Sequence, residues 1–446
     1  MVGRQLKKLC FFQVGCLMLM RLFLLFTILA SVSLASDFGT FLCINDVHYQ
    51  WYFREGSDPF DGRCHSGTGS TGKFGHFNCD SPLELITSAF SLFKAQFPDP
   101  DFILHIGDIM PHKAVLQGVT EINETTILTA LSNFTSIVQR YYPSKPIINV
   151  LGNHDTFPAH QYSRDNSWLY EGTLKLWDRY IPRSEHESYV KGGYYKVDLS
   201  EFVTMIVLNS NYYTYLDSSS YFVSDPNGQI AWLKKQLATL KKAGKRVIIA
   251  SHVALGNNGF SATAANMLEH HHKALLVALN DYTDVITAVL AGHEHSDSFR
   301  LFKGKLGVVP VLVAPSLAPW ASVEYNGYPG NNPGVRVYKY DKKTGIVLDF
   351  VQYYLDLEQS NNKGVAVWNV EYSAVDFYKV ADLSGESMQL AMNYLRNNPA
   401  ALDKYFDYLN VLVRKGCDRD KTLDKIYLCG MENVAPLDFS NCLFAV

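Results

Sequence analysis

Five short apolar runs, rich in β-branched residues, recur along the first two thirds of the chain. They cover Phe38–Ile44, Phe102–Ile106, Ile147–Leu151, Val247–Ala250 and Val285–Ala291. Near-continuous apolar runs of this length are typical of strands that are buried on both faces of a sheet, so we predict five strands. Polar residues follow each run, and we expect them at the carboxyl edge of the sheet, where open α/β sheets bind ligands.

Amphipathic segments lie between and after these runs. In Gln229–Lys242, leucine and isoleucine recur at helical spacing and the charges fall on other positions. Further helices are predicted over Thr120–Tyr142, Ala264–Asn280, Leu383–Asn397 and Ala400–Lys415, the last two separated by Pro399. The alternation of strands and helices predicts an α/β fold with helices on at least one face of the sheet.

Residues that can bind metal ions follow each predicted strand. They are Asp46, His48, Asp108, Asn153, His252, His293 and His295. Side chains two apart in an extended segment point to the same side, so we expect Asp46 and His48 to face one site, and His293 and His295 likewise.

Imidazole nitrogen and carboxylate oxygen are ligands of zinc and similar cations, and two ions about 3.5–4 Å apart need a bridging group. Asp108 has two carboxylate oxygens and is the expected bridge, while Asn153 offers a neutral carbonyl oxygen. Ion pairs of this kind activate water and stabilise the charge of a phosphoryl group. The residues therefore predict hydrolysis of a phosphate ester.

Several other residues that could bind metal are expected to have structural roles instead. Asp155 is expected to orient a neighbouring group. His270, His271 and His272 fall within a predicted helix, where successive side chains point in different directions, so we interpret them as mostly surface residues rather than ligands. Cys43 lies inside the first predicted strand and should behave as a small buried apolar residue.

Composition limits the possible functions. The chain has 446 residues, of which 47% are apolar and 19% charged, which is ordinary for a globular protein with a main domain and an appendage. A net charge of −3 provides no basic surface for a phosphate backbone. We therefore exclude polymeric nucleic acid as the expected partner.

The N-terminus predicts entry into the secretory pathway. An apolar run, Leu22–Leu34, ends in small residues before Ser36, so residues 1–35 are predicted to be a signal peptide. A retained membrane anchor is the alternative, since the apolar stretch from Cys10 approaches the length of a span. Asn123 and Asn133 stand in glycosylation sequons, which fits secretion or delivery to the lysosomal lumen.

Six cysteines follow Ser36, and in an oxidising compartment they favour disulfides over free thiols. Cys64 with Cys79 would close a loop rich in glycine and serine. Cys429 with Cys442 would fix the C-terminus.

The polar clusters also form ordered motifs. They read D-x-H at Asp46, G-D at Asp108, G-N-H-D at Asn153, a lone His252, and G-H-x-H at His293. In this order they resemble the signature of the calcineurin-like metallophosphoesterase superfamily. On segments 107–112, 152–158 and 332–338 and the C-terminal cysteines, the chain is similar to acid sphingomyelinase and the shorter, saposin-free acid sphingomyelinase-like phosphodiesterases.

The resemblance implies a β-sandwich flanked by helices (αββα). It implies a catalytic domain over residues 36–357 and a helical, disulfide-stapled C-terminal subdomain over 358–446. In the family, a cysteine four residues after Cys417 would pair with it, but Lys421 stands there, which leaves the partner of Cys417 open.

The resemblance also implies residue roles. Two zinc ions would share Asp108, the first bound also by Asp46, His48 and His295, and the second also by Asn153, His252 and His293. His154 and His112 would act on the phosphoryl group or protonate the leaving oxygen, and which of them is the acid stays open. Trp320 and Tyr325 are candidates for the floor of the leaving-group pocket, or for packing.

We expect a zinc-dependent phosphodiesterase that acts on a small phosphodiester or on a sphingolipid head group, with transient contact to a membrane surface. Sphingomyelin is the first candidate substrate, and nucleotides or phosphoanhydrides are the alternative. A phosphomonoesterase and a surface-binding protein with an inactive site are further alternatives. The sequence leaves the oligomeric state open.

Overall fold

The computed structural model describes residues 37–445 apart from 61, 114–121, 163–165, 259–264, 320–329, 414–420 and 422–423. Several predictions fall outside the described residues. These are the signal peptide over residues 1–35, the pocket aromatics Trp320 and Tyr325, and the partner of Cys417.

Strands are distributed along most of the described chain. They are β1 (Phe38–Ile44), β2 (Phe102–His105), β3 (Ile147–Asn149), β4 (Tyr195–Asp198), β5 (Val203–Leu208), β6 (Arg246–Val253), β7 (Ile286–Gly292), β8 (Ser298–Gly304), β9 (Gly307–Val313), β10 (Gly334–Asp341), β11 (Val347–Leu355) and β12 (Trp368–Ser373). All five predicted strands are confirmed, as β1, β2, β3, β6 and β7. β6 extends past its predicted end, so His252 lies within the strand.

Helices occupy the segments between strands and most of the C-terminal region. They are α1 (Leu83–Gln96), α2 (Glu124–Tyr141), α3 (Ser167–Trp177), α4 (His186–Gly192), α5 (Gln229–Lys242), α6 (Glu269–Asn280), α7 (Leu357–Lys363), α8 (Ala374–Tyr378), α9 (Gly385–Asn397), α10 (Pro399–Leu409), α11 (Asp424–Glu432) and α12 (Pro436–Phe444). The predicted helices are confirmed with shifted ends. Among the described helices, none combines the length and the apolar character needed to cross a membrane.

Helix ends differ from prediction where side chains cap the backbone. Asn123 begins α2 by accepting a hydrogen bond from the backbone N–H of Thr126, three to four residues later than the predicted start. Asn398 caps α10 in the same way, and Pro399 occupies the first turn, where its missing N–H costs nothing. Pro399 is therefore part of the helix rather than a spacer between two helices.

Two six-stranded sheets organise the fold. Their strand orders are β12-β11-β10-β1-β2-β3 and β4-β5-β6-β7-β9-β8. β1 pairs parallel with β2 and antiparallel with β10, whereas β6 and β7 pair in parallel within the other sheet. Two sheets with helices flanking them and a helical C-terminal region confirm the predicted fold class. The division at residue 357 stays a prediction, and β12, which follows it, extends the sheet of β1.

One contiguous apolar core contains residues from both sheets and from the C-terminal helices. A buried ion pair lies beside it: Arg336 of β10 contacts Asp297 at 2.6 Å. The Arg336 guanidinium also lies 3.7 Å from the centre of the Phe350 ring, and the Tyr372 hydroxyl donates to Asp297 at 2.6 Å. The pair is desolvated but well hydrogen-bonded, so removing either partner would leave a buried charge uncompensated.

Both expected disulfides are present, joining Cys64 to Cys79 and Cys429 to Cys442. Cys43 is a buried free cysteine, as predicted from its place inside a strand.

The interpretation of the α6 histidines as mostly surface residues is wrong for two of them. His270 is exposed, but His271 and His272 are buried. The backbone N–H of Gly256 donates to His272 Nε2 at 3.2 Å, so this ring is held as a neutral acceptor. The prediction failed because the first turns of α6 direct the side chains of His271 and His272 toward the protein interior.

Burial lowers the pKa of His272 to about 4, and Arg300 adds to the effect. An unfolded histidine has a pKa near 6.5. As the pH is lowered from about 6.5 to 4, the unfolded state therefore binds a proton that the folded state does not, and the free energy of unfolding decreases. His272→Gln keeps an acceptor for Gly256 and removes this titration. Urea unfolding should show the wild type losing about 2 kcal/mol more than His272→Gln between pH 7 and pH 5.

The exposed neighbour His270 provides the matched control, His270→Gln. An unchanged pH dependence in His272→Gln would contradict the prediction.

Candidate metal centre

The seven predicted ligands converge where the carboxyl ends of strands from both sheets meet. Their donor atoms, with one from His112, form three sets within each of which all atoms lie within 4.8 Å of one another: His48, His112 and His295; Asp108, His252 and His293; and Asp46, His48 and Asp108. Asn153 joins the second set, since its Oδ1 lies 2.8 Å from His252 Nε2. The structure brings all seven side chains together, and their role as ligands stays a prediction.

The backbone conformation at most of these residues differs from the predicted extended one. Five of the seven residues have left-handed backbone angles rather than extended ones, with φ of 42° at Asp46, 41° at His48, 59° at Asp108, 72° at His293 and 60° at His295. Such angles cost about 1–3 kcal/mol at a residue other than glycine and persist only where the surroundings enforce them. Backbone strain is therefore concentrated at this site.

The glycines of the motifs make room for the neighbouring loops. A Cβ at Gly152 would lie 2.1 Å from the Asp108 backbone nitrogen, and one at Gly107 would lie 2.6 Å from His252 Nδ1. A Cβ at Gly292 would similarly lie 2.1 Å from Asn45 Oδ1. These contacts are too short for any side chain, so the loops can approach one another only where glycine is present.

Asp155 fixes the loop that carries Asp108. Its carboxylate accepts backbone N–H groups from Asp108 at 3.0 Å, Ile109 at 2.8 Å, Met110 at 3.1 Å and Gly152 at 2.9 Å. The predicted orienting role is therefore correct in kind, but Asp155 orients the backbone rather than a ligand histidine. Burial raises the pKa of Asp155 to about 7, with Asp108 adding to the rise and the backbone donors opposing it.

Backbone carbonyls orient two of the candidate histidine ligands. His48 Nδ1 donates to the Met110 carbonyl at 2.7 Å, and His252 Nδ1 donates to the Ile106 carbonyl at 2.7 Å. Because a carbonyl only accepts, Nδ1 carries the proton in each ring. Nε2 therefore faces the centre, which is the usual arrangement of a metal-ligating histidine.

Asp108 lies between the two sets of ligands. Its Oδ2 is 3.6 Å from His48 Nε2 and 3.3 Å from His252 Nε2. Its Oδ1 accepts the backbone N–H of His154 at 2.8 Å. Oδ2 is thus directed at the space between both imidazoles, which is the position that a bridging ligand requires.

The electrostatics of the protein atoms alone are unbalanced. Burial raises the pKa of Asp46 to about 8, an effect that His252 opposes and Asp108 increases. Burial alone would lower the pKa of His252, but Asp108 raises it to about 9. Burial and the neighbouring His112 hold the pKa of His48 and of His295 well below the ordinary value. The cluster is therefore short of positive charge around its carboxylates.

Divalent cations fit this donor set. Asp46 Oδ1 is buried and has no hydrogen-bond partner among the described residues. Asn153 Oδ1 only accepts, and His252 Nε2 lies 2.8 Å from it, so a proton or a cation must lie between these two atoms. Carboxylate oxygen, amide oxygen and imidazole nitrogen together form a site for divalent metal ions of the transition series.

His112 and His154 lie beside the ligand cluster. The His112 ring stacks on His48 with centroids 3.7 Å apart, and it lies 4.8 Å from the His154 ring. Asp80 holds His112 at two points, accepting its backbone N–H at 2.7 Å and its Nδ1–H at 2.7 Å. Asp80 was not predicted, because an aspartate after Cys79 carries no pattern that distinguishes it from a loop residue.

Comparison with known proteins agrees with the site. The protein-family model described as "Calcineurin-like phosphoesterase" matches residues 39–297, which is more than half of the chain. This chain belongs to the calcineurin-like phosphoesterase family. A second model, "Acid sphingomyelin phosphodiesterase C-terminal region", matches residues 307–445 of this phosphoesterase.

Three relatives of the phosphoesterase cover most of its length. A sphingomyelinase phosphodiesterase C from Dictyostelium discoideum is 32% identical, with 95% of this chain and 97% of the relative covered. A cyclic GMP-AMP phosphodiesterase from Homo sapiens is 30% identical over 91% of this chain and 90% of its own. An acid sphingomyelinase-like phosphodiesterase 3b from Homo sapiens is 29% identical, with 91% and 90% covered.

Membership confirms the family that the motifs resemble and the expected enzyme class, a metal-dependent phosphoric diester hydrolase. Divalent metal ions are its expected cofactors, in agreement with the donor clusters around Asp46, His48, Asp108 and His252.

The Asp80 contacts generate a prediction about His112. In Asp80→Ala, His112 loses the bonds that Asp80 accepts from its backbone N–H and from its Nδ1–H. If His112 acts on the substrate, as the resemblance implies, a misplacement of about 1 Å can cost about 10²-fold in rate. We expect kcat for a soluble phosphodiester to fall by about that factor while the metal content stays at the wild-type value.

Asp99, whose side chain is 86% exposed, supplies the matched control Asp99→Ala. Loss of bound metal in Asp80→Ala, or an unchanged kcat, would disprove this role for Asp80.

Proposed function

We propose that this phosphoesterase is a secreted, zinc-dependent enzyme that hydrolyses sphingomyelin to ceramide and phosphocholine. The observation that carries the proposal is Asp108 Oδ2, which faces both His48 and His252 from between them. The Dictyostelium and human relatives named for sphingomyelinase support the choice of substrate.

In the proposed site, each ion has its own ligands besides the shared Asp108. The first ion would be held by Asp46, His48 and His295, and the second by Asn153, His252 and His293. When bound, such an ion pair supplies hydroxide near neutral pH and neutralises charge on the phosphoryl oxygens.

The two further histidines act on the substrate. Asp80 holds the Nδ1–H of His112, so Nε2 faces the centre and can deliver a proton to the departing oxygen. A carboxylate paired with the imidazole stabilises its protonated form, which supports His112 as the acid rather than His154. A positioned acid accelerates departure of a poor alkoxide leaving group by about 10²–10⁴-fold.

A nucleotide or cyclic-dinucleotide phosphodiesterase is the second candidate. The human relative named as a cyclic GMP-AMP phosphodiesterase supports it, at nearly the same identity as the sphingomyelinase-named relatives. Soluble substrates of this kind need no extraction from a bilayer, whereas sphingomyelin requires transient contact with a membrane surface. A phosphomonoesterase and an inactive binding protein have less support, since all seven candidate ligand side chains are present and converge.

Secretion or delivery to the lysosomal lumen is part of the proposal. Two disulfides support an oxidising compartment. Both sequon asparagines are exposed: Asn123 caps α2 and Asn133 lies on its surface. Zinc is proposed as the physiological ion because imidazole and carboxylate dominate the donor set.

Substitution of the bridge separates ligand roles from substrate roles. Asp108→Asn should release both ions and abolish turnover, because a neutral amide cannot offset two cations. His154→Ala should retain both ions and lose rate, since His154 acts on phosphate. Metal analysis of the purified variants, beside assays with bis-(p-nitrophenyl) phosphate, distinguishes the two; substantial metal loss in His154→Ala would refute its assignment.

The substrate is tested with sphingomyelin, with and without detergent, beside cyclic GMP-AMP, ATP and CDP-choline. We expect the highest kcat/KM with detergent-dispersed sphingomyelin and at least tenfold lower values with the nucleotides. A preference for the nucleotides would select the second candidate. A strong preference for p-nitrophenyl phosphate over its diester would overturn the phosphodiesterase assignment.

A further inference from the structure

The loop after β3 folds back on itself between Asn153 and His160. The backbone N–H of His160 donates to the carbonyl of Asn153 at 2.7 Å. The two side chains also meet, with Asn153 Nδ2 and His160 Nδ1 3.0 Å apart. His160 therefore contacts Asn153 through both its backbone and its ring.

An asparagine side chain presents two chemically different ends. Only its Oδ1 can bind a cation, whereas Nδ2 carries two hydrogens and only donates. In this structure Oδ1 is directed at His252, 2.8 Å from Nε2, and Nδ2 is directed away from the centre at His160. Because Nδ2 only donates, His160 Nδ1 must be the unprotonated acceptor, with the proton on Nε2.

This contact matches the orientation of the amide that a cation requires. If the Asn153 amide were rotated by 180°, Oδ1 would face the His160 lone pair and Nδ2 would face the cluster of candidate ligands. The imidazole would keep this contact only with its proton on Nδ1, and a cation at the centre would meet the Nδ2 hydrogens instead of Oδ1. In the orientation that leaves Oδ1 for a cation, His160 Nδ1 accepts from Nδ2, and support of this kind lowers the cost of placing Oδ1 at the centre.

The backbone at His160 is strained, and this indicates that the residue does more than close the loop. Its φ is 68°, a left-handed angle that glycine adopts without cost. A residue that only closed the loop would be better as glycine. The imidazole instead lies half-buried beside the active histidines, 4.6 Å from the His154 ring between centroids.

We propose that His160 is a positioning residue for the second metal ion, acting through the orientation of the Asn153 amide. The inference rests on the proposed function, in which Asn153 is a ligand of that ion. It predicts that His160 controls the affinity for one ion of the pair and leaves the other ion in place.

Two substitutions at the same position provide the test. His160→Gly relieves the left-handed strain but removes the acceptor, so the fold should be kept while the second ion binds about 10- to 100-fold more weakly. His160→Asn tolerates the same backbone angle and can place its Oδ1 near the position of the imidazole Nδ1. It should restore affinity to within a few-fold of wild type.

The measurement is zinc stoichiometry of the purified full chain, followed by titration with zinc against a competing chelator, with thermal melting as the check of folding. We expect two ions in the wild type and in His160→Asn, and one tightly bound ion in His160→Gly. Two equally tight ions in His160→Gly, or equal loss in both variants, would overturn the role of His160. Fewer than two ions in the wild type would overturn the two-ion site itself, and the inference with it.

Discussion

Two carboxylates, Asp46 and Asp108, are buried within a few ångströms of the same imidazole, and this is the constraint around which the molecule is organised. Burying like charges together is unfavourable unless positive charge lies between them. The protein atoms supply only part of that charge, through the raised proton affinity of His252. Divalent cations supply the remainder, so the chemistry of the site and its electrostatic balance have the same origin.

The fold meets this constraint by stabilising loops that would not adopt their conformation alone. Left-handed angles at five candidate ligands cost free energy, and glycines at the approach points prevent further cost from steric overlap. The Asp155 carboxylate collects four backbone N–H groups from two loops and thereby holds the strained segment that carries Asp108. Two sheets with a contiguous apolar core provide the rigid frame to which these loops are attached.

The sequence was sufficient for the strands, the order of the motifs and the seven convergent side chains, because apolar runs and short polar motifs are local signals. It was insufficient wherever contacts between distant segments decide the outcome. Nothing in the residues around Asp80 or His160 indicates that they hold His112 and Asn153, since those contacts arise only when loops meet. The extended geometry assumed for Asp46 and His48 was wrong for the same reason: their backbone N–H groups donate to carbonyls of the neighbouring loop, which holds the left-handed angles. His271 and His272 were misassigned because helical spacing alone does not reveal which face another element will cover.

The pairing of β1 with β10 has a consequence for modular recombination of this family. β1 leads into the Asp46 motif, yet one of its edges is completed by a strand from the region matched by the sphingomyelin phosphodiesterase C-terminal model. Asp297, at the end of the other matched region, obtains its counter-charge from Arg336 across the same boundary. A fragment cut between these regions would have a bare sheet edge and an orphaned carboxylate. Chimaeras that exchange C-terminal regions must therefore carry complementary β10 strands, because the two regions are joined by this sheet edge and this ion pair.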